Sequence, residues 1–232
     1  MKTIDSIRRT SIWIFVVPLV VLNSCLFISV NYELFENTIF RVDQIGRSGF
    51  TIPYIDGSLS ISRSARTYPT YILFKTGMIL TGILLIQYWR ANNELFKKIN
   101  NEIKNKNFFK FGIGSAIFLI IHSVFLGVTF EENSFEMFEN INKLLKRVVL
   151  LGFIIFEIIA QTFLVINLYK AKKEISEFIN KKILTIKIIL VITLIVVALL
   201  TLPILNSSQY THFKHALEWN YFLGIILFYL LT

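Results

Sequence analysis

The sequence predicts an all-α, polytopic membrane protein: a single domain over 1–232, built as a bundle of six transmembrane helices with both termini cytoplasmic and a long first outer loop. Three observations carry that expectation. First, 54% of the 232 residues are hydrophobic and only 17% are charged, and the mean hydropathy is +0.62. Soluble domains are roughly half apolar and a quarter charged, and this chain has too little polar surface to cover a water-soluble body. Second, the apolar residues fall into runs of about 20, the length that crosses a hydrocarbon core of roughly 30 Å as a helix. Third, the charges between those runs are unevenly shared between the two sides.

The runs are 11–30, 71–89, 109–129, 148–168, 183–205 and 213–231. The first is too long for a cleavable signal peptide and lacks a small-x-small cleavage site, so it is expected to stay as a helix, bent or loosened near Pro18. With the amino terminus inside, the inner set holds Lys2, Arg8 and Arg9, a second group from Arg90 to Lys110, and a third from Lys170 to Lys187. That is fifteen basic residues against five acidic ones, while the outer loops hold nine of each and Glu157 lies within the fourth run. Lys and Arg bias in short loops sets orientation, so both termini are expected in the cytoplasm. The net charge of +9 thereby reads as a topology signal and a contact for anionic lipid, and nucleic acid is not an expected partner. Cys25 is the one cysteine, so no internal disulfide and no Cys-based metal motif can form.

The connections are short except for the first outer loop, 31–70, where functional content is expected. Thr51 to Ile55 and Leu59 to Ser62 have the apolar alternation of short strands. The charged stretch around 94–106 reads as short solvated helix. Asn206-Ser207-Ser208 is a glycosylation sequon on the outer side.

Chemistry-bearing residues gather toward the outer face. His122 lies near the outer end of the third run, and His212 and His215 open the sixth with Glu218 three residues further on. Imidazoles with a carboxylate are the ligand set of a catalytic zinc, so His122, His212 and His215 are metal candidates, and Glu218, His122 and Asp56 are candidates for catalysis. The same residues serve equally as interfacial hydrogen bonders beside Trp219 at the headgroup level. No cofactor is expected otherwise. Glu157, with Gln161 one turn on, is an intramembrane polar pair suited to interhelical bonding or to a polar pathway. The segment 58–69, SLSISRSARTYP, brings Ser62, Arg63 and Arg66 to the start of the second run, and guanidinium groups there suit bidentate phosphate contacts. They equally suit an ordinary juxtamembrane loop with snorkelling arginines.

Two elements carry a family resemblance. Pro53-Tyr54-Ile55 and Ile61-Ser62-Arg63, leading through Tyr68-Pro69 to Phe74, are similar to the first outer loop of the Frag1/DRAM/Sfk1 family, which includes GPI-remodelling factors. Ala216-Leu217-Glu218-Trp219, with Phe222, Phe228 and Tyr229, resembles the opening of that family's final helix. Arg63 and Ala65 stand where the family has an acidic residue and a glycine. The resemblance implies a lipid-handling or lipid-homeostasis role without an established catalytic mechanism, and carries over Ser62, Pro69, Glu218 and Trp219.

The expected function is thus non-enzymatic handling of membrane lipids, with Ser62, Arg63, Arg66, Glu218 and Trp219 at phospholipid or glycolipid headgroups. The location is the plasma membrane or an endomembrane. An intramembrane metal-dependent lipid hydrolase or acyl transferase is the alternative, and a small transporter built on Glu157 and Gln161 is the third reading.

Overall fold

The computed structural model describes residues 2–41, 50–99, 107–126, 136–173, 180–205 and 208–232. In chain order the helices are α1 (Lys2–Val30), the one-turn α2 (Pro53–Asp56) and α3 (Ile61–Ser64), then α4 (Thr70–Ile99), α5 (Asn107–Phe125), α6 (Glu136–Lys170), α7 (Lys181–Leu205) and α8 (Thr211–Leu230). Long helices are the expected solution for these apolar runs, because hydrocarbon offers no partner to a backbone N–H or C=O and a helix satisfies both internally. α1 is continuous through Pro18.

Five helices, α1, α4, α5, α6 and α7, are long and apolar enough to cross a membrane. Within the most apolar stretch of each, between 22% and 39% is buried inside the bundle, so most of that surface faces outward. Apolar surface on this scale requires lipid around it. The chain is an integral, multi-pass membrane protein.

With 20 residues α8 is about 30 Å long, enough to span, but its first half carries His212, Lys214, His215, Glu218 and Asn220 and is not comparably apolar. The reason is local, since that half packs against the first loop. α1, α4, α5 and α6 follow one another side by side, and α8 closes against α1 and α7. α7 packs chiefly on α6 and α8 and turns Ile183, Ile186, Ile189, Ile192, Val196 and Leu199 outward. Small residues permit the closest approaches. At Gly112 a Cβ would lie 2.3 Å from the Trp89 ring, so α4 and α5 meet only because α5 has no side chain there.

Two short segments differ from the alternation-based expectation. Residues 53–56 and 61–64 are single helical turns, and no strand occurs among the described residues. Pro53 takes the first helical position and Gly57 the left-handed cap, while the Ser60 side chain caps α3. These helix signals outweigh an alternation only four or five residues long. The charged stretch from residue 94 begins as the continuation of α4 to Ile99, and residues 100–106 lie outside the described residues, as do 127–129 of the third run and Asn206-Ser207 of the sequon.

Candidate functional site

The first loop is tied to the start of α8 by a series of contacts whose acceptors are mostly its own backbone. The Trp219 indole donates to the Leu59 carbonyl at 2.8 Å, and the Asn220 amide donates to the Tyr54 carbonyl at 2.6 Å. His215 Nδ1 lies 3.0 Å from the Gly57 carbonyl. The backbone N–H groups of Ile61 and Ser62, free of helix partners at the start of α3, bond the Glu218 carboxylate. The Tyr54 and Trp219 rings pack at 5.0 Å, and Gly57 sits directly on the backbone of His212, where a Cβ would come within 1.7 Å of its carbonyl oxygen. Gly57 also has φ +59, which glycine adopts without steric cost.

The loop is also anchored to α1. The Ser29 hydroxyl donates to the Ser64 carbonyl at 2.8 Å, and Asn23 exchanges bonds with the Tyr54 hydroxyl at 3.2 and 3.3 Å. Burial raises the Tyr54 phenol, against a smaller downward pull from that Asn23 bond.

Asp56 organises the turn from within. Its carboxylate accepts from the Ser58 N–H at 2.8 Å, the Ile52 N–H at 3.0 Å and the Thr51 hydroxyl at 2.9 Å. The slight burial acts upward, but these bonds to the ionised form outweigh it and hold the carboxyl down at about 2. It is a loop-forming carboxylate, engaged by three neighbours in its own segment.

Arg63 and Arg66, by contrast, are exposed. Arg66 donates to the Ser62 hydroxyl at 3.1 Å, one helical turn away. Lys146 from α6 lies within electrostatic range of both Arg66 and Lys75 from α4, so three segments contribute cations around it.

The histidines are dispersed in role. His122 is buried on α5, its ring edge-on to Phe74 at 6.5 Å and bonded to the backbone of Lys146. His215 is engaged with Gly57, and His212 is exposed. Among the described residues no three His, Cys, Asp or Glu side chains come together in a group that could hold a metal ion. The set of His122, His212, His215, Glu218 and Asp56 therefore does not form a metal centre in this arrangement.

Deep in the bundle, Glu157 is fully buried and bonded on every side. It accepts from the Ser115 hydroxyl of α5 at 2.5 Å, from the Gln161 amide at 3.0 Å and from the Tyr229 hydroxyl of α8. Gln161 also donates to the Ile225 carbonyl of α8 at 3.2 Å. The pair thus joins three helices, the interhelical bonding expected of polar side chains in lipid.

One buried ionisable residue escaped the sequence reading. Lys187 counts there with the inner-loop charges, yet it is 4% exposed, on the face of α7 that carries the buried Leu184, Val191 and Leu194. Its position five residues into an apolar run was the available signal, the same one that singled out Glu157.

No family model matches the chain, and no curated protein or solved structure matches it; the Frag1/DRAM/Sfk1 resemblance rests on its two short sequence elements, of which residues 53–55 and 61–63 and residues 216–219 lie at the junction of the first loop and α8.

Proposed function

We propose that this is a non-enzymatic lipid-handling protein of Frag1/DRAM/Sfk1 type that crosses the membrane six times with both termini in the cytoplasm. In this reading the loop end of the bundle lies outside and recognises phosphate-bearing lipid headgroups. The observation that carries it is the contrast in how the loop end uses its polar groups. Asp56, His215, Glu218, Trp219 and Asn220 are committed to loop backbone, while Arg63 and Arg66 remain exposed on the loop they hold. Glu218 and Trp219 then act as positioning residues, fixing α3 so that two guanidinium groups face the headgroup layer with Lys75 and Lys146 nearby. A planar guanidinium bonds phosphate oxygens in pairs.

The test is a lipid-preference measurement on the full chain in nanodiscs, comparing retention of phosphatidylglycerol with that of phosphatidylcholine. About 1 kcal/mol per basic residue at the surface predicts that Arg63→Ala with Arg66→Ala lowers the preference for the anionic lipid roughly thirty-fold. Lipid profiles of cells lacking the protein should be restored by the wild type and not by this double variant. An unchanged preference in the double variant would refute the reading.

A further inference from the structure

At the end of the bundle opposite the loop is a cavity of ≈ 160 Å³ where the start of α1, the later part of α4, the end of α6, the start of α7 and the end of α8 meet. Its wall is divided by chemistry. Ile4, Ile7, Leu95, Leu168 and Leu184 are its apolar lining, and Lys187, Tyr88 and Asn92 are its buried polar lining. Arg8, Asn180 and Thr232 also line it and are exposed, so the cavity opens among them.

Lys187 gives the cavity its character. Its Nζ donates to the Thr232 hydroxyl at 2.7 Å and lies 4.3 Å from the centre of the Phe228 ring. An ammonium has three donors, and among the described residues no Asp or Glu side chain lines the cavity. A lysine this close to a helix start ordinarily snorkels, extending its stem toward the surface and leaving its charge in water. Here the side chain turns inward to a hydroxyl and an aromatic face instead, at a cost in desolvation that a hydroxyl alone offsets poorly. Tyr88 and Asn92 bring further polar groups to the same floor, and Arg8 adds a second cation at the mouth.

We propose that this cavity binds the anionic head of a membrane amphiphile, a phosphate or a carboxylate, with Lys187 as the buried counter-charge and Arg8 at the entrance. The volume suits a head with its first few carbons and is below that of pockets enclosing a drug-sized ligand, roughly 300–1,000 Å³. The apolar wall receives the start of the acyl chain, and the remainder stays in the bilayer. The site is independent of the loop-end reading, being at the other end of the bundle and made from other residues.

The experiment is native mass spectrometry of the full chain released from nanodiscs containing dioleoyl phosphatidic acid, oleate or dioleoyl phosphatidylcholine. The wild type should retain one anionic lipid through detergent exchange and no phosphatidylcholine. The Arg63→Ala, Arg66→Ala double variant removes the loop-end cations, and in that background one anionic lipid should still be retained; adding Lys187→Met should weaken that retention at least ten-fold, and adding Lys187→Arg should keep it. Retention of phosphatidic acid alone assigns the site to phosphate, and of oleate alone to carboxylate; either supports the proposal. Equal retention with and without Lys187→Met in the double-variant background, or no preference of the wild type over phosphatidylcholine, overturns it. Melting of each variant in detergent is measured alongside, and Arg8→Ala, a substitution at the exposed rim, supplies a second arm with a smaller loss if Lys187→Met unfolds.

Discussion

The two ends of the bundle handle polar groups in opposite ways. At the junction of the loop with α8, donors and acceptors are matched within the protein: carbonyls of Tyr54, Gly57 and Leu59 meet side chains of α8, and N–H groups of Ile61 and Ser62 meet Glu218. At the other end, the Lys187 ammonium has one hydroxyl and one ring among the described residues, and beside it is a cavity. Glu157, between them, belongs with the loop end in kind, since its carboxyl is bonded from three residues on three helical positions. A buried polar group saturated by its own chain is a fastening, because removing it leaves several partners unpaired. One that is under-supplied with partners beside open space is where a ligand has something to add.

That contrast can be broken most forcefully at Gly57. A Cβ there meets the His212 carbonyl at 1.7 Å in a φ +59 conformation, so Gly57→Ala should lift the loop from α8 and lower stability by roughly 2–5 kcal/mol, from overpacking and backbone strain together. Thermal melting in detergent and proteolysis of the loop report both effects.

Next in size is Glu157→Ala, which strands Ser115, Gln161 and Tyr229. Hydrogen bonds between membrane helices average about 0.6 kcal/mol each, and two of the three cross between helices, so a loss of about 1 kcal/mol is expected. Glu157→Gln, keeping most of the bonding, should cost about half as much. A Glu157→Ala variant that melts like the wild type would remove the fastening role.

Lys187→Met should behave differently from both. Exchanging an under-partnered buried charge for an apolar side chain of similar length is often neutral or stabilising, so stability should change by less than about 1 kcal/mol while lipid retention falls. A large loss of stability would place Lys187 among the fastenings and dissolve the contrast.

The smallest effect concerns pH. The Asp56 carboxyl sits lower in the folded loop, at about 2, than its unfolded value near 3.9. Its contribution is therefore complete above about pH 4 and is lost as pH falls toward 2. Loop proteolysis should be flat from pH 8 to 5 and should rise only below about pH 4. Asp56→Asn should flatten that rise.

The long helices were legible because the run length of apolar residues is itself the physical requirement for crossing a bilayer. The structural role of α8 was less so. His215, Glu218 and Trp219 are spaced as a helix face, and from spacing alone a face that binds a ligand is indistinguishable from one that binds the chain's own loop. Only the position of residues 53–64 against α8 separates them. The turn at Pro53 to Gly57 could have been found, since proline at a helix start and glycine just past its end is a helix signal. Lys187 was hidden for another reason: a basic residue near a span boundary is ordinarily a topology marker, and its inward direction depends on which face of α7 meets α6 and α8.

α7 adds a consequence of its own. It runs for 25 residues, about 37 Å at 1.5 Å per residue, against a hydrocarbon core of roughly 30 Å, and it rests chiefly on two neighbours. A helix longer than its surroundings relieves the mismatch by tilting, and thinner bilayers demand more tilt. Since Leu184 and Lys187 ride on that helix, the thickness of the surrounding bilayer becomes a mechanical input to the width of the cavity.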